Sequence, residues 1–217
     1  MKVPKKYIET LNEEEVRELK AKLRKKSNVR YFVLVSIAIA TGMKSGELCG
    51  LRRQGVDLKR KTVTVVGTMK RQGSSFYWSP YGKSTRSLCT IDITKKDVAL
   101  FRLLRLYQVR NKQYNENGYV FTTLDDWSCL TPMRIAKLWT ELREKLGIKL
   151  TFHRLRHTCA TLWLKNGIPV HIVAQQLGHS EETITWRYGH ALAVPPGSRK
   201  NERIDILVLV TVPMVEK

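Results

Sequence analysis

The chain has 217 residues and carries 39 Lys plus Arg against 19 Asp plus Glu, a formal charge of +20. Such an excess, spread along the chain and not gathered in one tail, points to a folded basic surface for a polyanion, which is nucleic acid or an anionic membrane. No stretch approaches the ~18 uninterrupted apolar residues of a membrane span, the polar start shows no signal-peptide pattern, and Cys49, Cys89, Cys129 and Cys159 form no C-x-x-C pair, so reduced thiols in a cytoplasmic protein without a structural metal are expected.

In chain order, residues 11–25 form a helix, with Asn12 as N-cap, acids in the first turn and bases in the last. Residues 31–41 are apolar enough for a buried helix. Thr41-Gly42-Met43 interrupts it, and Ser45 can cap a further helix reaching about Arg53. The period then changes, and 56–66 reads as a turn and a strand. Residues 67–82 are polar, with Phe76, Tyr77 and Trp78 at their centre, and 87–93 alternates as another strand. Together these segments predict a small antiparallel sheet with one long connection. Helices are expected at 95–112 and at 131–146, where Pro132 suits the first turn. Residues 120–122 should be extended. Three short helices should fill 151–190, broken near Gly167-Ile168-Pro169 and Gly178. Beyond Pro195-Pro196-Gly197, the β-branched run 206–212 reads as a strand. The fold class is therefore mainly α with a small antiparallel β-sheet.

The densest group of ionisable side chains lies in the last third. His153 and Arg156 are three residues apart and share a helix face, with His157 beside them. A guanidinium and an imidazole on one face of a basic protein can hold a phosphate, the first by bidentate hydrogen bonds and the second as a donor. Against this stands the plainer reading, that such histidines cap helices or fill polar niches.

The arrangement as a whole resembles the tyrosine recombinase, or phage-type integrase, family. His153-Arg154-Leu155-Arg156-His157-Thr158 is similar to its His-x-x-Arg box. Leu177-Gly178-His179-Ser180 matches the box that follows, and Tyr188 falls nine residues after His179, at the nucleophile. Thr41-Gly42-Met43-Lys44-Ser45-Gly46-Glu47-Leu48 resembles the first arginine box, and Val56-Asp57-Leu58 follows as it commonly does. Gly82-Lys83-Ser84-Thr85-Arg86 resembles the hairpin bearing the catalytic lysine. The likeness covers roughly residues 8–192, in order. It implies the fold of that catalytic domain over 11–192, preceded by a linker at 1–10 and followed by a tail at 193–217.

The resemblance also implies chemistry. The Tyr188 hydroxyl would attack a scissile phosphate, forming a 3′-phosphotyrosyl bond and releasing a 5′-hydroxyl. Arg156 would stabilise the phosphorane-like transition state. His153 would act as acid/base near the nucleophile, and His179 would donate to the phosphate. Lys83 would protonate the leaving oxygen, with Glu47 as a supporting carboxylate. No metal or nucleotide cofactor is required. The expected partners are double-stranded DNA and further copies of the chain, as a dimer or tetramer on that DNA, with 206–212 docking on a neighbour or folding back on its own sheet.

Lys44 departs from the pattern, since the family has arginine there. Lysine keeps the charge but loses the planar fork. An engineered change, a natural variant of reduced activity, or replacement of the fork by Arg52 or Arg53 would each account for it. Two other functions compete with recombination: a type IB topoisomerase, and a catalytically weak DNA-binding regulator derived from a recombinase.

Overall fold

The computed structural model describes residues 9–80, 89–112, 115–123 and 128–192. Its elements are helices α1 (Glu13–Lys26), α2 (Val29–Thr41) and α3 (Ser45–Gly50), strands β1 (Val56–Asp57), β2 (Thr62–Val65), β3 (Gly67–Gln72), β4 (Ser75–Pro80) and β5 (Cys89–Asp92), and helices α4 (Lys95–Arg110), α5 (Pro132–Leu146), α6 (Phe152–Lys165), α7 (Val170–Leu177) and α8 (Glu181–Tyr188). Lys83 and the run 206–212 lie outside the described residues.

Two helices form the centre. In α2 nearly every side chain from Phe32 to Ile39 is buried, and in α6 the run from Leu155 to Leu164 is buried on all faces. A helix apolar all round must be enclosed. Helix α2 packs against α1, α4 and α6. The surrounding helices are amphipathic and start where their caps predict. The Asn12 side chain accepts from Glu15 N–H while Glu15 accepts from Asn12 N–H, a reciprocal capping box. Thr94 and Asp97 repeat the device on α4, and Thr131 caps α5 ahead of Pro132.

Helix α2 ends at Gly42, whose φ of 64° is left-handed. A Cβ there would also stand 2.6 Å from Leu177 Cδ2 and 3.2 Å from Cys159 Sγ. Conformation and packing both require glycine at this point. The turn brings the end of α2 against α6 and α7, where the polar cluster forms.

The small antiparallel sheet expected from 56–66 and 87–93 is present, and the long connection between them adds a hairpin. Strands β1, β2 and β5 make one antiparallel sheet in the order β1-β2-β5, while β3 and β4 form a separate hairpin. In the sheet, Val63 pairs with Ile91 on the buried face, and the Thr64 and Thr90 hydroxyls meet at 3.2 Å on the other. The hairpin leaves because α3 holds it. A Cβ on Gly46 would meet Thr68 Oγ1 at 2.5 Å, and one on Gly50 would meet Thr68 Cα at 3.2 Å. These glycines let β3 lie on α3, and Trp78 Nε1 donates to the Gly50 carbonyl at 3.1 Å. Helix α3 is also shorter than expected, ending at Gly50 before a bridge between Arg52 and Tyr119. Its N-cap is Lys44 and not Ser45, because the Glu47 carboxylate accepts the Lys44 N–H at 2.7 Å. Residues 120–122 form no strand and pair only through an isolated bridge from Thr122 to Cys129, with another at the preceding Tyr119, and the first helix of the last third, α6, is long where a short one was expected.

Candidate functional site

Arg156 stands in the second turn of α6 and is 4 % exposed. Its Nη1 donates to the Gly42 carbonyl at 2.7 Å and its Nη2 to the Leu177 carbonyl. These carbonyls lie at the C-terminal ends of α2 and α7, where helices leave acceptors unpaired and carry partial negative charge. One guanidinium thus joins two helix ends to a third helix. It has five donors, so this engagement leaves donors for another acceptor. Glu47 Oε2 lies 4.0 Å from Arg156 Nη1, and Glu47 Oε1 lies 3.7 Å from Lys44 Nζ. The Glu47 side chain is 12 % exposed, so it is an acid shared between two cations and not a helix-surface charge.

Two cavities flank this group. One, of about 220 Å³, is bounded by Glu47, Val65, Cys89, Ile91 and Gln176. The other, of about 240 Å³, is bounded by Pro132, Ile135, Ala136, Phe152 and His153. Met43, Lys44 and Arg156 line both.

The histidines share this cationic field. His179 follows the left-handed Gly178 at the end of α7, and its N–H donates to the Ala174 carbonyl at 2.9 Å. Burial pushes its imidazole down to about 4, helped by Arg156, Lys44 and Arg187 and opposed by Glu47. His153 is lowered by burial and then by Arg156, Arg187, Lys44 and Arg154. His157 is pushed down to about 4 by burial, with His153 and the same arginines adding to it. All three are neutral near pH 7, so each has one N–H to donate and one ring nitrogen to accept with. Fixed positive charge therefore comes from Lys44, Arg154, Arg156 and Arg187.

Tyr188 ends α8 and is 1 % exposed. Its hydroxyl meets His157 Nδ1 at 2.6 Å. Burial raises its pKa, against the lowering effect of Arg156 and Arg187. The structure thus joins Lys44, Glu47 and Arg156 by direct contact, puts His153 on a cavity wall beside them and His179 in their field, and connects Tyr188 to α6 through His157. Sequence reasoning gave His157 no role and did not single out Arg187, although its place next to Tyr188 was a usable signal. Arg52 is engaged elsewhere. Its guanidinium lies 4.3 Å from the Trp78 ring centroid and 5.5 Å from that of Tyr119. Arg53 lines a cavity with Leu58, Phe101 and Leu104 that includes none of the site residues. Neither supplies a fork beside Lys44.

Among the described residues, no group of three or more His, Cys, Asp or Glu could hold a metal ion, and no helix is long and apolar enough to cross a membrane. The four cysteines are free thiols.

The model of the phage integrase family matches residues 9–193. The tyrosine recombinase XerC-like protein of Caldanaerobacter subterraneus is 28 % identical over 82 % of this chain and 49 % of its own length. The tyrosine recombinase XerA of Pyrococcus furiosus is 28 % identical over 88 % of this chain and 60 % of its own. The integrase of Staphylococcus phage L54a is 29 % identical over 81 % and 53 %. The chain thus spans about half to three-fifths of these relatives. Among solved structures, an arginine-to-lysine variant of the Tn1549 transposon integrase, in complex with a circular intermediate DNA, is similar with a TM-score of 0.73 and 18 % identity, over 87 % of this chain and 63 % of that one. The crystal structure of XerA recombinase is similar with a TM-score of 0.67 and 24 % identity, over 91 % and 62 %. Mainly helical architecture, the ordered motifs and the family match over most of the length agree: the chain belongs to the phage integrase family and has the fold of a tyrosine recombinase catalytic domain.

Proposed function

We propose that this chain is the catalytic part of a site-specific DNA recombinase that cuts and rejoins double-stranded DNA through a 3′-phosphotyrosyl bond. The observation that carries the reading is the pair Lys44 and Arg156 on the shared wall of two cavities, bridged by Glu47 in one of them and with His153 on the wall of the other. A charge of +20 supplies the attraction to the DNA backbone.

In this mechanism the scissile phosphate sits against Arg156 and Lys44. Arg156 stabilises the charge that builds on the non-bridging oxygens, and His179 donates its one N–H to the same group. The Tyr188 oxygen bonds to phosphorus as the bond from phosphorus to the 5′-oxygen breaks. The phenolic proton passes to His153, and the leaving 5′-oxygen takes a proton from Lys83. Glu47 fixes the ammonium of Lys44 and the guanidinium of Arg156 relative to one another. Rejoining is the reverse, with the energy of the broken bond kept in the phosphotyrosine, so no cofactor enters. Strand exchange needs more than one active site, and the protein acts as a homo-oligomer on DNA. Lys44 offers one point charge where a guanidinium would give two parallel hydrogen bonds, so cleavage is attenuated without loss of binding.

The test is Tyr188→Phe on a nicked suicide substrate. The variant removes only the hydroxyl, so covalent adducts disappear from a denaturing gel while non-covalent binding persists. Adducts that survive the substitution place the nucleophile at another residue.

A further inference from the structure

Helix α8 sends Ile184 and Tyr188 into the protein, 0 % and 1 % exposed, while Trp186 on the same helix is 60 % exposed. The Tyr188 hydroxyl ends on His157 Nδ1 at 2.6 Å, with the two rings tilted at 49° and their centroids 5.7 Å apart. His157 is itself buried, and the His153 ring stands perpendicular to it at 4.9 Å. A side chain enclosed to this degree cannot touch a phosphate on DNA outside the protein. The nucleophilic oxygen is turned inward, and one imidazole nitrogen holds it there.

The direction of the hydrogen bond follows from acidity. His157 is pushed down to about 4 by burial and the phenol of Tyr188 is raised by burial, so the proton stays on oxygen. The hydroxyl donates and Nδ1 accepts. In this arrangement His157 is too weak a base to activate the phenol, but it is a good acceptor.

We infer that His157 is a positioning residue that latches Tyr188 in a buried resting place, and that this bond breaks before Tyr188 reaches DNA. The inference rests on the reading of Tyr188 as nucleophile. DNA then acts on the enzyme as well as being its substrate. Docking of the phosphate beside Arg156, on the residue preceding His157, gives the hydroxyl a competing place to go, and an accidental encounter with DNA leaves the nucleophile enclosed. Release breaks one hydrogen bond between neutral groups and uncovers the Tyr188 ring, which is 1 % exposed in the resting place.

Two substitutions separate the bond from the packing. His157→Leu keeps bulk and removes the acceptor, whereas His157→Asn keeps a polar atom near the position of Nδ1. The first readout needs no catalysis: nitration of each tyrosine by tetranitromethane in the absence of DNA, read by peptide mass spectrometry, with the buried Tyr119 as the reference for general loosening. His157→Leu raises Tyr188 nitration over that of Tyr119 by up to about tenfold, the shift that loss of one hydrogen bond produces. His157→Asn returns protection towards the parent level. The second readout is single-turnover adduct formation on the nicked substrate, which rises in His157→Leu. Unchanged Tyr188 nitration, equal rises at Tyr188 and Tyr119, or an Asn variant that behaves like the Leu variant overturns the latch. So does a fall in adduct rate with leucine, which would make His157 a base. If nitration follows the expected order but no protein forms an adduct, the latch stands and the nucleophile assignment fails.

Discussion

Arg156 and His157 are neighbours on one helix, yet they hold the two halves of the site in different ways. The half around Arg156 is built into the interior: its guanidinium bonds the ends of α2 and α7, reaching residues 114 and 21 positions away in sequence. The half around Tyr188 hangs on α8, a helix of eight residues with only Ile184 and Tyr188 buried, and one side-chain hydrogen bond ties that tyrosine to α6. Charge-assisted bonds to main-chain carbonyls are about twice as strong as neutral ones. One half is therefore as rigid as the core, and the other can be exchanged for a new partner. On the proposed mechanism, the firmer anchoring lies where developing charge must be met by fixed donors, and the lighter one where an atom must travel.

The strongest way to break this contrast is Arg156→Ala. It leaves two buried carbonyls unpaired, each costing about 1–3 kcal/mol, and removes an oriented donor worth ~10²- to 10³-fold in rate. Urea unfolding should show a loss of about 3 kcal/mol or more, with no measurable adduct. A variant as stable as the parent would show that the guanidinium serves only the phosphate.

Gly42→Ala attacks the same half from the backbone. A left-handed residue gains a Cβ that meets Leu177 Cδ2 at 2.6 Å, and the expected cost is about 2 kcal/mol in thermal or urea melts. The equivalent change at Gly147, left-handed but with nothing within 4 Å of the added Cβ, isolates the conformational part and costs less.

Lys44→Arg sharpens the contrast by completing the rigid half. The Lys44 side chain is 49 % exposed, so stability changes by less than about 0.5 kcal/mol. Single-turnover cleavage rises by roughly tenfold, part of the effect of one oriented donor. Equal rates would mean that Lys44 does not occupy the role of the first arginine.

The smallest effect is on pH dependence. Free imidazoles titrate near ~6.5, whereas His157 and His179 are held down to about 4. Between those values the unfolded chain binds more protons, so their contribution to stability is intact above pH ~6.5 and declines as pH falls towards 4. His179→Asn should flatten the fall in melting temperature across this window. Parallel curves for parent and variant would contradict the depressed imidazole at His179.

Sequence pattern reached the helices well, because their signals are local. Asn12 with Glu15, Thr131 before Pro132, and the apolar run of α2 each act within a turn or two. The hairpin's departure from the sheet was not legible, since it depends on Gly46 and Gly50 of α3 meeting Thr68 across the fold. The motif residues were found by type and order, but their contacts were not. Nothing in the spacing of His153, His157 and Tyr188 tells which imidazole takes the hydroxyl, because that depends on how α8 docks 31 residues later. Arg52 looked available as a substitute fork from its charge alone, and only the aromatic pair Trp78 and Tyr119 shows where it is engaged.

The carbonyls that receive Arg156 have a consequence for how the protein is made. A chain emerging N-terminus first presents Gly42 and Lys44 early, Arg156 much later, and Leu177 later still. Long-range contacts of this kind form late, after the intervening loops have closed. A ribosome-bound fragment carries much of the positive charge and can cling to nucleic acid, but it has no seat for a phosphate and no Tyr188 to attack one. On the proposed function, DNA cleavage is thereby withheld until α6, α7 and α8 have been made and have folded against the end of α2.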